Sequence, residues 1–230
     1  MYSRVVDGKT LTFGVSGKLW RNALVMYDRE TNSLWSHVTG EAIRGPLQGK
    51  RLTMLAATPR VTWATWRRLH PNTLALSVNG RQDVAFDTYA DYHADAGRTG
   101  LFAVRRPDRR AQPKEMVLGV ALGPASKAYR HAFLRKRRLV SDVVGGTPVL
   151  VWFDPASGAT AVYARPAAAP EGGFRLDGDV MIASGAGDRR WQAATGKALG
   201  SGPDLKPLPH TNAYWFGWVA FYPRTTLKAA

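Results

Sequence analysis

The chain has 230 residues, 45% of them apolar, and 32 Lys and Arg against 17 Asp and Glu give a net charge of +15. That length and apolar content exclude intrinsic disorder and suffice for a core without covalent staples. It has no cysteine, which excludes disulfides, Cys-ligated zinc, iron–sulfur clusters and a thiol nucleophile within these residues.

Met1-Tyr2-Ser3-Arg4 runs directly into Val5-Val6-Asp7-Gly8, without the basic start and apolar run of a secretory signal, so as written the chain reads as cytoplasmic. Thr10 to Val15 alternates and Ala23 to Tyr27 is a short apolar run, with turn residues at Asp7-Gly8 and Thr39-Gly40, so strands are expected here. A helix is expected where Thr62 can cap, Trp63, Trp66 and His70 share a face, and Pro71 stops the chain. A second helix is expected from Lys127 to Arg138. Pro148 to Phe153 and Thr160 to Tyr163 flank Asp154-Pro-Ala-Ser-Gly158 as a hairpin. The longest uncharged stretch, Pro207 to Tyr222, falls short of the roughly 20 residues that span a bilayer.

Self-comparison organises these signals. Trp35 to Ile43, with Thr39-Gly40 inside it, reappears as Trp191 to Leu199 at an offset of 156. Trp63-Ala-Thr-Trp66 with Pro71 reappears as Trp215-Phe-Gly-Trp218 with Pro223 at an offset of 152. Earlier, Asp28-Arg29 matches Asp188-Arg189, and Tyr2-Ser3-Arg4 matches Tyr163-Ala164-Arg165. Six of the eight tryptophans fall into these pairs, so the largest core-forming side chains carry the repeat. The expected fold is mainly β with a few short helices, α+β being the alternative. Two pseudo-symmetric repeats share one core, sandwich- or barrel-like. Copy one is 1-78, a basic insert 79-144 and copy two 145-230, in one compact domain.

Leu11 to Leu19, Asp28 to Trp35, Gly40 to Leu47, Lys114 to Val120, Gly145 to Pro148 and Trp215 to Thr225 together resemble a bacterial and archaeal family known as domain-of-unknown-function family 3179. The resemblance spans nearly the whole chain. It implies a β-rich protein, usually exported or lipid-anchored, with no established activity. Relatives typically carry a Cys-Pro-Leu segment just before the residues matching Tyr2-Ser3-Arg4, and this chain starts too late to contain one. Copy two also has a hairpin before Tyr163 that copy one lacks before Met1. The expectation is therefore that a hairpin and a candidate redox site lie upstream of Met1, which would make the protein extracytoplasmic.

Residues 98-138 hold twelve basic residues and two acids, a local excess of ten. The run Arg135, Lys136, Arg137 and Arg138 is its densest part and the candidate contact for a polyanion or nucleic acid. No helix-turn-helix, zinc-finger or aromatic RNA-binding motif accompanies it, so a solvated basic face is the plainer reading. Asp83, Asp87, Asp91 and Asp95, with His93 among them, would repel one another along one helical face and are read as a solvated loop rather than a metal site. Gly8-Lys9-Thr10 lacks the rest of a phosphate loop, Ser16 lacks a nucleophile elbow, and the five histidines lack metal-ligand spacing. No cofactor or metal is expected.

The paired tryptophans are read first as core and second as a ligand cleft at the pseudo-twofold interface. Asp28, Trp35, His37 and Glu41 are its candidate lining. Copy two has Ala193 and Lys197 in place of His37 and Glu41, so copy one would be the functional half. The functional expectation is an uncharacterised β-rich protein without independent catalysis. The alternatives are thiol or selenol redox chemistry carried upstream of Met1, and polyanion binding through the insert.

Overall fold

A computed structural model describes the chain except residues 56–60, 76–88, 101, 103, 105–106, 167–172, 186–188 and 229–230. The expected 78/79 boundary, Asp83, Asp87, Arg105, Arg106 and Asp188 lie outside the described residues. The first half contains β1 (Val5–Val6), β2 (Lys9–Thr10), β3 (Phe13–Trp20), β4 (Ala23–Asp28), β5 (Leu34–Ser36), β6 (Ala42–Arg44), α1 (Trp63–Leu69) and α2 (Ala90–Ala94). The middle contains β7 (Met116–Leu122), β8 (Ala125–Arg130), α3 (His131–Arg137), β9 (Leu139–Val144), β10 (Thr147–Phe153) and β11 (Thr160–Ala164). The last part contains β12 (Phe174–Asp177), β13 (Val180–Ala183), β14 (Arg189–Gln192), β15 (Thr211–Tyr214), α4 (Trp215–Phe221) and β16 (Thr226–Lys228).

The fold is mainly β. Open sheets run β3-β4-β5-β6, β11-β10-β9, β12-β13-β14 and β15-β7-β8-β16, with β1-β2 as a separate ribbon. None closes into a barrel among the described residues. The apolar run of β10 makes it the middle layer of a sandwich. Val149, Val151 and Phe153 join Leu118, Val120 and Tyr129 of the β7-β8 sheet in one cluster. Leu150 and Trp152, pointing the other way, join Met181, Ala183 and Trp191 of the β12-β13-β14 sheet. Both faces are buried because successive strand side chains alternate, so the run reads as continuously apolar.

Three local expectations are corrected. Lys127 to Arg130 belong to β8 and only His131 onward is helical, because Val120 pairs with Lys127 and Leu118 with Tyr129. Thr10 to Val15 is broken at Leu11-Thr12, where the Leu11 amide donates to the Arg4 carbonyl and the Thr12 amide to the Glu30 carboxylate. Asp91 lies in the first turn of the short helix α2, and Asp95 at its C-cap accepts from the Gly97 amide at 2.8 Å. An acid in the first turn is favourable.

The matched segments make corresponding contacts twice, with the tyrosine's acceptor shifted by one position. The Tyr2 hydroxyl donates to the Val38 carbonyl at 2.7 Å, and the Tyr163 hydroxyl to the Ala193 carbonyl at 2.9 Å. Gly40 and Gly196 lie at φ 68° and 70°, and a Cβ on either would stand 2.6 Å from Cε1 of that tyrosine. Both the left-handed conformation and the close ring require glycine. Trp35 pairs with Ala42, and Trp191 with Ala198. Trp66 donates from its indole to Thr73, and Trp218 to Thr225, each at 3.0 Å.

Each repeated helix reaches the other half. Val61 and Leu69, at the two ends of α1, pack on the Leu150 cluster, and Arg68 meets Asp179 at the β12–β13 tip at 3.6 Å. Reciprocally, Arg21 at the β3–β4 tip donates to the Ala220 carbonyl of α4, and Trp20 stands edge-on to Phe221 with ring centroids 5.3 Å apart.

The two helices differ in what covers their tryptophan face. Trp215 and Trp218 are buried with Val117 and Ala128 on the outer face of the β7-β8 hairpin. Trp218 presses on Gly119, where a Cβ would come within 2.3 Å of its Cζ3. Trp63 is 50% exposed and Leu74 beyond α1 is 93% exposed. Trp218→Ala should therefore cost about 3–5 kcal/mol, and Trp63→Ala about 1 kcal/mol or less. Urea unfolding of the two variants measures the difference, and equal losses would contradict it.

Candidate functional site

A cavity of about 600 Å3 is lined by Val61, Thr62, His93, Met116, His131, Ser157, Gly158, Asn212, Ala213 and Tyr214. Val61-Thr62 and Ala213-Tyr214 are equivalent at the offset of 152, so the cavity opens where α1 and α4 start. Thr62 caps α1 by accepting from the Thr65 amide at 3.3 Å.

The far wall is built by a side-chain relay. Asn212 on β15 donates from Nδ2 to Thr160 Oγ1 at 2.8 Å, and its Oδ1 lies 2.9 Å from His131 Nε2. An amide oxygen only accepts, so Nε2 carries the hydrogen and the imidazole tautomer follows from the amide's orientation. The His131 ring stands edge-on to Phe153 at 5.1 Å. Thr160 is fully buried, which anchors the relay in the core.

The near wall is aromatic. His93 Nδ1 lies 2.8 Å from the Tyr214 hydroxyl. Lys114 holds α2 in place: its Nζ sits 3.8 Å above the Tyr92 ring and donates to the Tyr92 and Asp95 carbonyls. Burial, with Tyr214 nearby, raises the Tyr92 phenol above its ordinary value. Ser157 gives its hydroxyl hydrogen to Asp154, so no serine–histidine pair is formed there. Burial alone would raise the Asp154 carboxyl, but hydrogen bonds from Ser157 and Ala156 hold it below the usual range. The arrangement offers hydrogen bonds and ring faces to a ligand.

The residues expected from sequence to line a cleft lie elsewhere. Asp28 and Trp35 are both fully buried and bonded to each other, Trp35 Nε1 donating to Asp28 Oδ2 at 2.7 Å. The Thr31 amide and hydroxyl donate to Asp28 Oδ1 at 2.6 and 2.8 Å. His37 is exposed, with Nδ1 2.7 Å from the Leu24 carbonyl. Glu41 pairs with Arg51 at 2.6 Å. None of the four lines the cavity. Of the cavity's polar side chains only Thr62 comes from residues 1–78; the others lie between His93 and Tyr214. His93, His131, Asn212 and Tyr214 were missed because no motif links them; the repeat positions just before each tryptophan helix were the one signal pointing there.

Strand register also re-aligns the repeat. Phe13 pairs with Asp28 and Phe174 with Ala183, so Ala183 holds the place of Asp28. Trp191 then donates its indole hydrogen to the Pro203 carbonyl at 3.0 Å.

Arg135, Lys136 and Arg137 form the last turn of α3, Arg138 caps it at φ 60°, and all four are exposed. Arg135 reaches the Pro155 carbonyl at 3.0 Å and Arg138 the Gly178 carbonyl at 3.5 Å. Several other cations between residues 98 and 138 are structural. Arg130 forks onto Glu115, Lys127 meets Asp142 at 2.9 Å, and Arg110 joins Asp108 to the Thr225 carbonyl. Among the described residues no three His, Asp or Glu side chains converge as a metal site, and no helix is long and apolar enough to cross a membrane.

Burial raises the Asp28 carboxyl, but hydrogen bonds from Trp35, Thr31 and Ser33 outweigh it and leave it below its ordinary value. A depressed carboxyl stabilises the fold above the unfolded value of about 3.9, and that contribution is lost as pH falls through the lower folded value. Asp28→Ala should cost about 2–4 kcal/mol at pH 7 by leaving Trp35 and Thr31 donors without an acceptor. The gap to wild type should narrow as pH falls below about 4. Denaturant unfolding across that range measures it, and a pH-independent gap would contradict an ionised Asp28.

No curated protein and no solved structure matches the chain. A family model described as a protein of unknown function, DUF3179, matches residues 1–225, and the chain belongs to that family.

Proposed function

We propose that this is a ligand-binding protein whose site is the cavity at the starts of α1 and α4. The observation that carries the reading is the convergence of His93, His131, Asn212, Tyr214 and Thr62 on one space of about 600 Å3. Large concave sites with a few placed polar groups are where small molecules bind. Residues 1-78 and 145-230 are, in this reading, two copies of one unit with 79-144 inserted. The twice-made tyrosine, glycine and tryptophan contacts support that division, and the cavity lies on the seam between the copies.

Binding is favoured over catalysis because the groups at hand are committed to one another: Asn212 to Thr160, and Ser157 to Asp154. Within residues 1–230 no thiol is available for redox chemistry. A second reading, contact with an anionic partner, draws on the exposure of Arg135 to Arg138.

The test is a titration with a panel of neutral sugars and small carboxylic acids, read on the His93 and His131 Cε1–H resonances. At least one member should shift both signals saturably. Asn212→Ala should weaken that member about tenfold, the loss of one or two buried hydrogen bonds. Shifts that ignore Asn212→Ala, or a panel that moves neither histidine, would contradict the reading.

A further inference from the structure

A second cavity of about 350 Å3 lies on the other side of α3, lined by Phe133, Arg137, Leu139, Val140, Ser141, Phe174 and Lys228. Its floor is apolar: Phe133 and Val140 are buried, and Leu139 and Phe174 are half-buried. Its rim is cationic. Arg137 and Lys228 are exposed, and neither side chain has an ion-pair or hydrogen-bond partner among the described residues. Arg110, Lys114, Lys127 and Arg130 are spent on structural contacts, whereas Arg137 and Lys228 are not. The third feature is the Ser141 hydroxyl, a buried oxygen with no hydrogen-bond partner.

The placement follows from the chain. Arg138, in the left-handed region at φ 60°, turns α3 directly into β9. That turn brings Arg137 and Ser141 to one cavity, and β12 and β16 add Phe174 and Lys228 from the sides. All three strands are sheet edges, so no further strand among the described residues fills the space.

Two cations without partners and a buried hydroxyl above an apolar floor match one ligand chemistry. We propose that this cavity binds a small amphiphilic anion, an aromatic or aliphatic carboxylate, phosphate or sulfonate. The anionic group lies between Arg137, Lys228 and Ser141, and the apolar body lies on Phe133 and Phe174. A bare phosphate would leave the floor wet, and a polyanion would use the rim alone. The net charge of +15 raises the encounter rate for such a ligand. This site is separate from the cavity at the starts of α1 and α4.

Calorimetric titration with 2-naphthoate tests it, with 2-naphthalenemethanol as the neutral analogue, and inorganic phosphate and heparin as competitors. The carboxylate should bind saturably and the alcohol at least about tenfold more weakly. Arg137→Gln and Lys228→Gln should each weaken 2-naphthoate about tenfold and Ser141→Ala several-fold, since each removes a contact to the charged group. Both cations are exposed, so their replacement leaves the fold intact, and unchanged melting checks this. Phe174→Leu, which keeps an apolar body in the core, should weaken binding less than the charge variants. Asn212→Ala should leave 2-naphthoate binding unchanged. Affinity indifferent to Arg137 and Lys228, equal binding of the alcohol, or phosphate or heparin displacing the carboxylate at equal concentration of anionic groups would overturn the proposal. Loss of 2-naphthoate binding in Asn212→Ala would overturn it as well, placing the probe in the other cavity and leaving the reading of that cavity intact.

Discussion

The last turn of each tryptophan helix reaches a part of the chain the helix does not belong to, and the placement of the two helix starts depends on that exchange. Leu69 enters the cluster of Leu150, Trp152 and Met181, while Phe221 meets Trp20 at the tip of the β3–β4 hairpin. The helix residues involved, Arg68-Leu69 and Ala220-Phe221, are equivalent at an offset of 152, and so the same positions perform the same task on opposite sides. Burial of these large side chains drives the docking. Its geometric consequence is that the two helix starts converge, and the cavity at Val61-Thr62 and Ala213-Tyr214 is the space between them.

The two matched tryptophan segments differ in how they satisfy the same buried group. The Trp35 indole hydrogen goes to the Asp28 carboxylate, whereas Trp191 uses a backbone carbonyl because Ala183 stands in the acid's place. An unsatisfied buried donor costs about 1–3 kcal/mol, which favours an acceptor for the Trp35 and Trp191 indoles whose identity is free to vary. Asp28 is thus explained by Trp35 rather than by a ligand. The same logic separates the cations: Arg110, Lys114, Lys127 and Arg130 hold loops and strands together, whereas Arg135 to Arg138 at the end of α3 are exposed.

Architecture was legible because it rests on large, repeated side chains. The tryptophan pairs, the Thr39-Gly40 and Thr195-Gly196 turns and the apolar run of β10 each carry a local signal that their surroundings reinforce. Lys127 to Arg138 was misread as one helix because its composition suits a helix, while pairing with β7, a tertiary effect, makes its first part a strand. The site was harder. His93 and His131 are 38 positions apart, and Asn212 and Tyr214 lie in another segment; only folding brings them to one cavity. Asp28, His37 and Glu41 drew attention by sitting beside a repeated tryptophan, yet a polar residue next to a core tryptophan is as readily its hydrogen-bond partner as a ligand's.

The exchange of helices is tested most directly by a double-mutant cycle on Trp20 and Phe221, residues 201 positions apart in sequence and 5.3 Å apart between ring centroids. Stabilities of Trp20→Ala, Phe221→Ala and the double variant, measured by urea unfolding, give the coupling between them. An edge-to-face pair in contact predicts a coupling of about 0.5–1.5 kcal/mol. Strictly additive losses would contradict the docking of α4 on the first half, and with it the origin of the cavity.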